Sequence, residues 1–486
     1  MSILRYTYKV RKWIFSYCVR FWELDAGSLL FAIGRCRFVV VYKDGITMKN
    51  NFVCSLSILN VLNRNYAAMH KSMLRIATGR KINSVADDPS GWAIGQRMSV
   101  EIRCLDQARQ NAQNSKSMMK VADGALSSTI DILRTLKEKA IAAANGTMTD
   151  ADRRNVQKEF DQYIDQIDDN AFVTFNGQYL LDGSHNSQGS ATKQSFTNQS
   201  LAEDTTFSTK LTDLQSRAGQ DLNIQDADKV TVGYVKDGKT YTTSFDAKDK
   251  TLGDIFKEAN TLNNNANVFE AANLNSTATT NVIGTDANGN EVKTASGKNG
   301  ITVQAKDTGL DGALGGFTIS VTDSQGNVKK TVNAVLDDFS ETIEARNGCG
   351  DNALYTQTGT KANQGIKLGI GNMTAYGLGL KGSDGSVLSV GTQEAANAAI
   401  NVLDNALNKA LGQSTTIGAV SSRMDYTIDN LTTQSENLTS AMSVIMDADM
   451  AKEIMEYARN SILVQAAQAM LAQSNQNAAW FLSLLK

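Results

Sequence analysis

The residue types that usually carry chemistry are scarce in this chain and poorly spaced for it. Its two histidines, His70 and His185, cannot supply a multi-histidine metal site or much acid–base catalysis. The five cysteines, Cys18, Cys36, Cys54, Cys104 and Cys349, show no CxxC or zinc-like spacing. Their odd number and wide separation argue against a disulfide framework and for isolated thiols in helix or loop. Gly377-Leu378-Gly379-Leu380-Lys381-Gly382 fits GxGxxG, a turn that brings backbone amides to a pyrophosphate. It lacks the strand–turn–helix context of a dinucleotide site. Acidic residues are plentiful, yet nothing in the sequence pairs two of them as acid and base. No catalytic centre, metal site or cofactor is implied.

The chemistry this chain does advertise is burial. Ser461 through Leu485 contains no charged residue. It is not a membrane span, because Gln465, Gln468, Gln473, Asn475, Gln476 and Asn477 would each need a partner in hydrocarbon. A helix of Ala, Gln and Leu with no charged face is expected to be covered all round by protein. Asn50 to Met69, near the other end, holds only Arg64 as a charge. Two such helices predict chain ends that meet and pack, either as a helix pair within one chain or against other copies as well. The candidate subunit contacts are Leu56, Leu59, Leu62, Ile462, Leu463, Ala466, Met470, Leu471, Phe481, Leu482 and Leu485. Apolar area there is worth about 25 cal/mol per Å2 when buried. A buried amide left unpaired costs roughly 1–3 kcal/mol.

The elements that must position these faces follow from composition and spacing. The 486 residues allow several domains, and Lys+Arg 48 against Asp+Glu 50 argues against a nucleic-acid partner. A single proline, Pro89, favours long helices. Met119, Ala122, Leu126, Ile130, Leu133 and Ala140 form a heptad-like seam. Val156, Phe160, Tyr163 and Ile167 mark a second helix, with Asn145-Gly146 as the turn and Thr149 or Asp150 as its cap. Met424, Ile428, Leu431, Leu438, Met442 and Ile445 give the longest heptad, with Ser435 at the skipped position. The rod-core residues are therefore Leu126, Ile130, Leu133, Met424, Ile428, Leu431, Leu438 and Met442, in an antiparallel bundle drawn from distant sequence.

Between the helical ends, residues 190 to 385 are rich in Thr, Asn, Gly, Asp and Ser. Lys229–Val235 and Gly316–Thr322 alternate as strands do. Asp237-Gly238 and Asp323–Asn327 read as hairpin turns, Asp254–Leu262 as a short helix, and Asn275–Gly300 as exposed loop. The fold class is α+β: a long α-helical coiled-coil bundle built from both chain ends, with a β-rich domain inserted in the middle.

The first 47 residues differ from the rest. They hold ten of the thirty-three aromatic residues, and eight basic against three acidic ones. Arg20, Glu23 and Asp25 interrupt any signal-peptide core. Leu29–Ile33 and Phe38–Tyr42 are too short to span a membrane. The expectation is that translation starts at Met48.

Both ends carry a family pattern. At the amino end it runs Ala77-Thr78-Gly79-Arg80-Lys81-Ile82-Asn83-Ser84, then Ala86-Asp87-Asp88-Pro89-Ser90-Gly91, and on through Gly124-Ala125-Leu126 and Ala143-Ala144-Asn145-Gly146 to Phe175-Asn176-Gly177. At the carboxyl end it comprises Ser435–Thr439, Asp449-Met450-Ala451 and Gln465–Gln473, with Ile370–Met373 and Gly379-Leu380 before the returning helix. The chain resembles bacterial flagellin over residues 48–190 and 365–486. Met48-Lys49-Asn50-Asn51 is similar to a flagellin start. The central insert resembles nothing assignable.

The resemblance implies a segmentation: 1–47 leader outside the mature protein, 48–89 inner-tube helix, 90–190 rod helices, 191–385 variable outer insert, 386–446 returning rod helix, 447–486 second inner-tube helix. It implies a structural subunit, not an enzyme. That subunit is exported and self-assembles into the extracellular flagellar filament, with ends that order on assembly. The alternative is a hook–filament junction protein. Implied partners are other flagellin subunits, the flagellar export apparatus and flagellin chaperone, and the filament cap and hook-associated proteins. Neither nucleic acid nor a membrane span is implied, and no HExxH insert occurs. Asp87, Asp88, Arg80 and Lys81 fall where inner segment joins rod, either as intersubunit ion pairs or as a solvated loop. The surface that Toll-like receptor 5 reads in many flagellins corresponds to Thr135, Glu138, Lys139 and Glu159. The recognised form usually has Arg and Leu at the positions of Thr135 and Lys139, so only Glu138 and Glu159 match. Weak or absent receptor activation is expected. Met446 stands where an arginine is common.

Overall fold

The computed structural model describes residues 29–32, 38–41, 50–262, 268–270 and 280–484. Strands β1 (Leu29–Ala32) and β2 (Phe38–Val41) pair antiparallel. Helix α1 (Asn50–Thr78) stops at Gly79, whose φ of 70° favours glycine. Helices α2 (Pro89–Ala144) and α3 (Asp150–Ala171) follow, the first opening on the chain's one proline. A tight ribbon, β3 (Thr174–Phe175) and β4 (Gln178–Tyr179), turns through Asn176 and Gly177, both at positive φ. Ten strands, β5 to β14, and two short helices occupy the middle. The chain returns along α6 (Gln393–Met446) and α7 (Met450–Leu484). Among the described residues no helix is long and apolar enough to cross a membrane. None of their His, Cys, Asp and Glu side chains cluster in threes to hold a metal ion. Two compact units result, residues 1–100 with 437–486, and residues 101–436.

In the second unit, α2, α3 and α6 share one core. Met119, Ala122, Leu126, Ile130, Leu133 and Ala140 of α2 are all buried, as the heptad spacing predicts. So are Phe160, Ile164, Ile167 and Ala171 of α3, a stripe that leaves Val156 and Tyr163 half-buried. From α6 come Val402, Leu403, Ala406, Ala410, Ile417 and Met424, with Ile428 packed alongside. Two ion pairs fix the direction of packing: Lys116 with Asp425, and Lys137 with Asp404. Moving up α2 means moving down α6, so the helices run antiparallel.

The α2–α3 turn is held from both sides. Thr149 caps α3 in a reciprocal box with Asp152, worth about 1 kcal/mol. The buried guanidinium of Arg153 donates from Nε to Ala143 O at 2.8 Å and from Nη2 to Asn145 O at 3.1 Å, closing the C-terminal carbonyls of α2.

The middle of the chain divides between two cores. Residues 354–390, with β13 (Leu354–Gln357) and β14 (Gly365–Leu368), pack Ile366, Leu368, Ile370, Leu378, Leu380 and Val390 into the helical core. The Gly377–Gly382 run serves this packing: a Cβ on Gly377 would lie 2.5 Å from Asn372 O. The insert proper is entered and left by two crossing points that bridge, Gly189 with Cys349 and Thr192 with Arg346.

Inside it, β5 (Ser195–Asn198) lies between β10 (Ile301–Gln304) and β12 (Phe339–Ile343). A second sheet runs β11 (Leu314–Thr322), β6 (Lys229–Lys236), β7 (Lys239–Asp246). The β6–β7 turn is the Asp237-Gly238 pair at φ 50° and 72°, as its sequence predicts. Helix α4 (Leu252–Thr261), capped by Thr251, covers the sheet. Asp323–Asn327 forms a turn that delivers the chain to α5 (Lys330–Leu336), not to another strand. Within 275–300, expected as loop, β8 (Val282–Thr285) pairs with β9 (Glu291–Lys293) around an Asp286-centred turn. Phe196, Phe256, Phe269, Phe317 and Phe339 meet mostly edge to face in the centre.

Candidate assembly surface

In the first unit, α1 and α7 pack antiparallel. Tyr66 OH accepts from Gln468 Nε2 at 2.5 Å, and about two and a half turns further along α1, Arg75 pairs with Glu453 at 2.9 Å. On α7 the buried positions are Glu453, Asn460, Val464 and Ala467, with Leu471 beside them. These step by 7, 4, 3 and 4, a heptad seam. On α1 the seam is Leu62, Met69 and Ser72. Of these eight residues four are large and apolar, Leu62, Met69, Val464 and Leu471, and three are polar.

Other large apolar residues point the other way. Ile462 is 65% exposed, Met455 67% and Met470 60%. Leu56, Leu59, Leu463, Met73, Leu74 and Ile454 are exposed as well. Of the expected subunit contacts, Leu56, Leu59, Ile462, Leu463, Ala466 and Met470 thus face outward. Leu62 and Leu471 are used inside the chain instead, because they fall on the seam. Phe481, Leu482 and Leu485 lie outside the described side chains. Val464 and Ala467 were missed by sequence reasoning; the 7-4-3-4 spacing was present, disguised by Glu453 and Asn460.

The junction beside this pair is tightly organised. Lys81 N donates to Met446 O at 2.7 Å, and Ala448 N to Gly79 O at 2.9 Å. The strand-like bridge between Arg80 and Asp447 completes the joint. Met446, buried, fills the space over Gly95, where a Cβ would collide with it. Asp87 receives Lys71 Nζ at 2.7 Å and the amides of Asn83 and Ser84 at 3.2 Å. The Lys71 ammonium and those amides outweigh partial burial and hold its carboxyl at about 2. Asp88 caps α2, accepting from Ser90 N and Gly91 N at 3.1 Å, which also lowers its pKa. Both carboxylates are therefore engaged within the chain, while Arg80 and Lys81 are exposed.

In the second unit, Leu126, Leu133 and Met424 are fully buried, Ile130 and Leu431 nearly so, and Ile428 half-buried. Leu438 and Met442, in the first unit, are half-buried. Of the receptor-surface positions, Glu138 is exposed, and Glu159 is tied to Lys139 at 2.9 Å, a contact that raises the lysine pKa.

Residues 50–186 match the model of the bacterial flagellin N-terminal helical region, and residues 400–485 that of the C-terminal helical region. A flagellin of Clostridium tyrobutyricum is 32% identical over 438 residues, covering 88% of this chain and 98% of that protein. A B-type flagellin of Pseudomonas aeruginosa is 29% identical, covering 90% and 99%. A flagellin of Bacillus subtilis is 26% identical over the same shares. The crystal structure of a flagellar junction protein of Legionella pneumophila aligns over 68% of this chain and 99% of that one. Its TM-score of 0.27 and 13% identity carry no argument about this chain. With the two terminal matches and relatives aligned over nearly their full length, the chain belongs to the bacterial flagellin family, the structural subunits of the flagellar filament.

Proposed function

We propose that this chain is exported and polymerises with its own copies into an extracellular filament, and that the outward faces of α1 and α7 are the polymer contacts. One observation carries the reading. The α1–α7 pair closes a thin seam centred on Leu62, Val464 and Ala467 and displays Leu56, Leu59, Ile462, Leu463 and Met470. Such a pair is incomplete alone, since large apolar groups left in water forfeit about 1.5–3 kcal/mol each. Neighbouring copies supply the missing cover.

The export apparatus, the flagellin chaperone, and the cap and hook-associated proteins act on this chain as they do on its family. Toll-like receptor 5 responds weakly or not at all. That reading is supported by Thr135 and Lys139 at positions where the recognised form carries Arg and Leu, and by the Lys139–Glu159 ion pair occupying one of two acidic positions. A reporter-cell response equal to that of a strongly stimulating flagellin contradicts it.

Electron microscopy of purified protein beginning at Met48, seeded under polymerising conditions, tests the assembly reading. Long filaments are expected. Folded, soluble protein that forms none contradicts it.

A further inference from the structure

Strand β11 is the edge of its sheet, hydrogen-bonded only to β6. An open edge offers its amides and carbonyls to any extended chain. Here side chains reach six of its backbone groups between Leu314 and Val321, and the Lys329 amide takes the Val321 carbonyl at 3.0 Å. Gln194 holds both backbone groups of Leu314, donating to its carbonyl at 2.8 Å and accepting from its amide at 2.5 Å. Asn405 donates to Gly315 O at 3.0 Å, and Asn401 to Phe317 O at 3.1 Å. Asp337 accepts from Ile319 N at 2.9 Å, and Asn333 from Val321 N at 2.7 Å.

Asn333 and Asp337 belong to the insert itself. Asn401 and Asn405 do not; they sit one turn apart on α6, the helix of the rod core. One further turn along, Lys409 meets Glu341 of β12 at 3.3 Å, with both side chains nearly buried. Glu341 also accepts from Gln194 at 2.7 Å. A single stripe of α6 therefore grips two strands in different sheets. Close approach is possible because β11 carries Gly315, at a bulge, and Gly316. A Cβ on Gly316 would lie 3.1 Å from Val402 N, and one on Gly315 3.1 Å from a Val402 methyl.

We propose that Asn401, Asn405 and Lys409 are the mount of the insert, holding it in one orientation on α6. The paired crossing points near 189–192 and 346–349, with solvent-exposed ties such as Lys239 with Asp384 and Tyr376 with Asp311, leave bending and twisting only weakly restrained. Two hydrogen bonds to a strand edge and a buried ion pair to a second strand, spread over two helix turns, remove that freedom.

Double electron–electron resonance on the full chain tests this. With the other cysteines replaced by serine, spin labels go on Cys104 of α2 and on Val328→Cys at the turn after β11, both exposed. The parent should give a narrow distance distribution. Asn401→Ala with Asn405→Ala should make it about twofold broader, while the near-ultraviolet signal of the insert's aromatic core is kept. Gly316→Val, which forces the strand off the helix by a different route, should broaden it as well. An unchanged distribution in both variants overturns the proposal. Loss of the aromatic signal overturns it too, because the stripe would then be folding the insert and not orienting it.

Discussion

The insert and the terminal helix pair treat large apolar side chains in opposite ways. In the insert, Phe256 has the rings of Phe269, Phe317 and Phe339 at 5.3, 5.6 and 5.9 Å; the first three are interior and Phe339 is half-buried. In the α1–α7 pair, Leu62, Val464, Ala467 and Ser72 are interior, while Leu56, Leu59, Ile462, Leu463 and Met470 face out. Burial of an aromatic cluster closes a domain on itself. A thin seam with many large residues displayed is, on the proposed reading, half of an interface. On that reading the difference separates the part of this chain that closes on itself from the part that other copies complete.

The comparison can be broken at several points. Removing the centre of the insert should have the largest effect. Phe256→Ala is expected to cost about 3–5 kcal/mol. It should lower the near-ultraviolet melting transition of the insert and leave the helical signal of the chain ends. An unchanged melt would mean the aromatic cluster is not its core. Next comes the displayed face. Ile462→Glu should raise the critical concentration for polymerisation by roughly 10–100-fold, from the loss of about 1.5–3 kcal/mol of burial, without altering monomer helicity.

Titration sharpens the same contrast. Burial pushes the Asp337 carboxyl up to about 6 from its ordinary 3.8, against the pull of its bonds from Ile319 N and Asn401. A raised pKa means the folded insert favours the protonated form. That advantage is complete below pH 4 and is lost as pH rises through 6. The insert should be less stable at pH 7 than at pH 4 by about 1–3 kcal/mol from this group. Glu341, also raised by burial, adds in the same direction. Asp337→Asn keeps the acceptor for Ile319 N, so it should raise the melting temperature at pH 7 and flatten the slope. A variant as pH-dependent as the parent would remove Asp337 from the account.

Asp87 behaves oppositely and more weakly. Held at about 2 by Lys71, it stabilises the α1–α2 link above pH 4 and loses that contribution as pH falls toward 2. Lys71 is half exposed, so the effect is worth about 0–1 kcal/mol. Asp87→Asn should abolish the acid-induced loss of amide protection in residues 79–88; persistence of that loss would place its cause elsewhere.

Much of this architecture was legible because it rests on local signals. Asp237-Gly238 dictated the β6–β7 turn, Thr149 the start of α3, and the Met119–Ala140 spacing the buried stripe of α2. The uncharged character of residues 461–485 was legible, but which side of α7 faces out was not. What escaped depends on distant partners. The β8–β9 ribbon lay in a Thr/Asn-rich stretch whose alternation was too short to register. The pairing of β5 with β10 and β12 joins segments more than a hundred residues apart. The α1–α7 seam was hidden because Glu453 and Asn460 occupy core positions, a cost that Arg75 offsets for the glutamate. The grip of Asn401 and Asn405 on β11 carries no sequence motif at all.

The most direct test compares neighbours on one helix. Ile462→Ser and Val464→Ser lie two residues apart, but one residue is displayed and the other buried in the α1–α7 seam. Critical concentration for filament growth and protection of α1 amides against hydrogen exchange are measured for both. The account predicts that Ile462→Ser impairs growth while leaving α1 protection as in the parent, and that Val464→Ser lowers α1 protection. Equal loss of protection in the two variants, or unimpaired growth of Ile462→Ser, would contradict the claim that the outward face of α7 is the assembly surface.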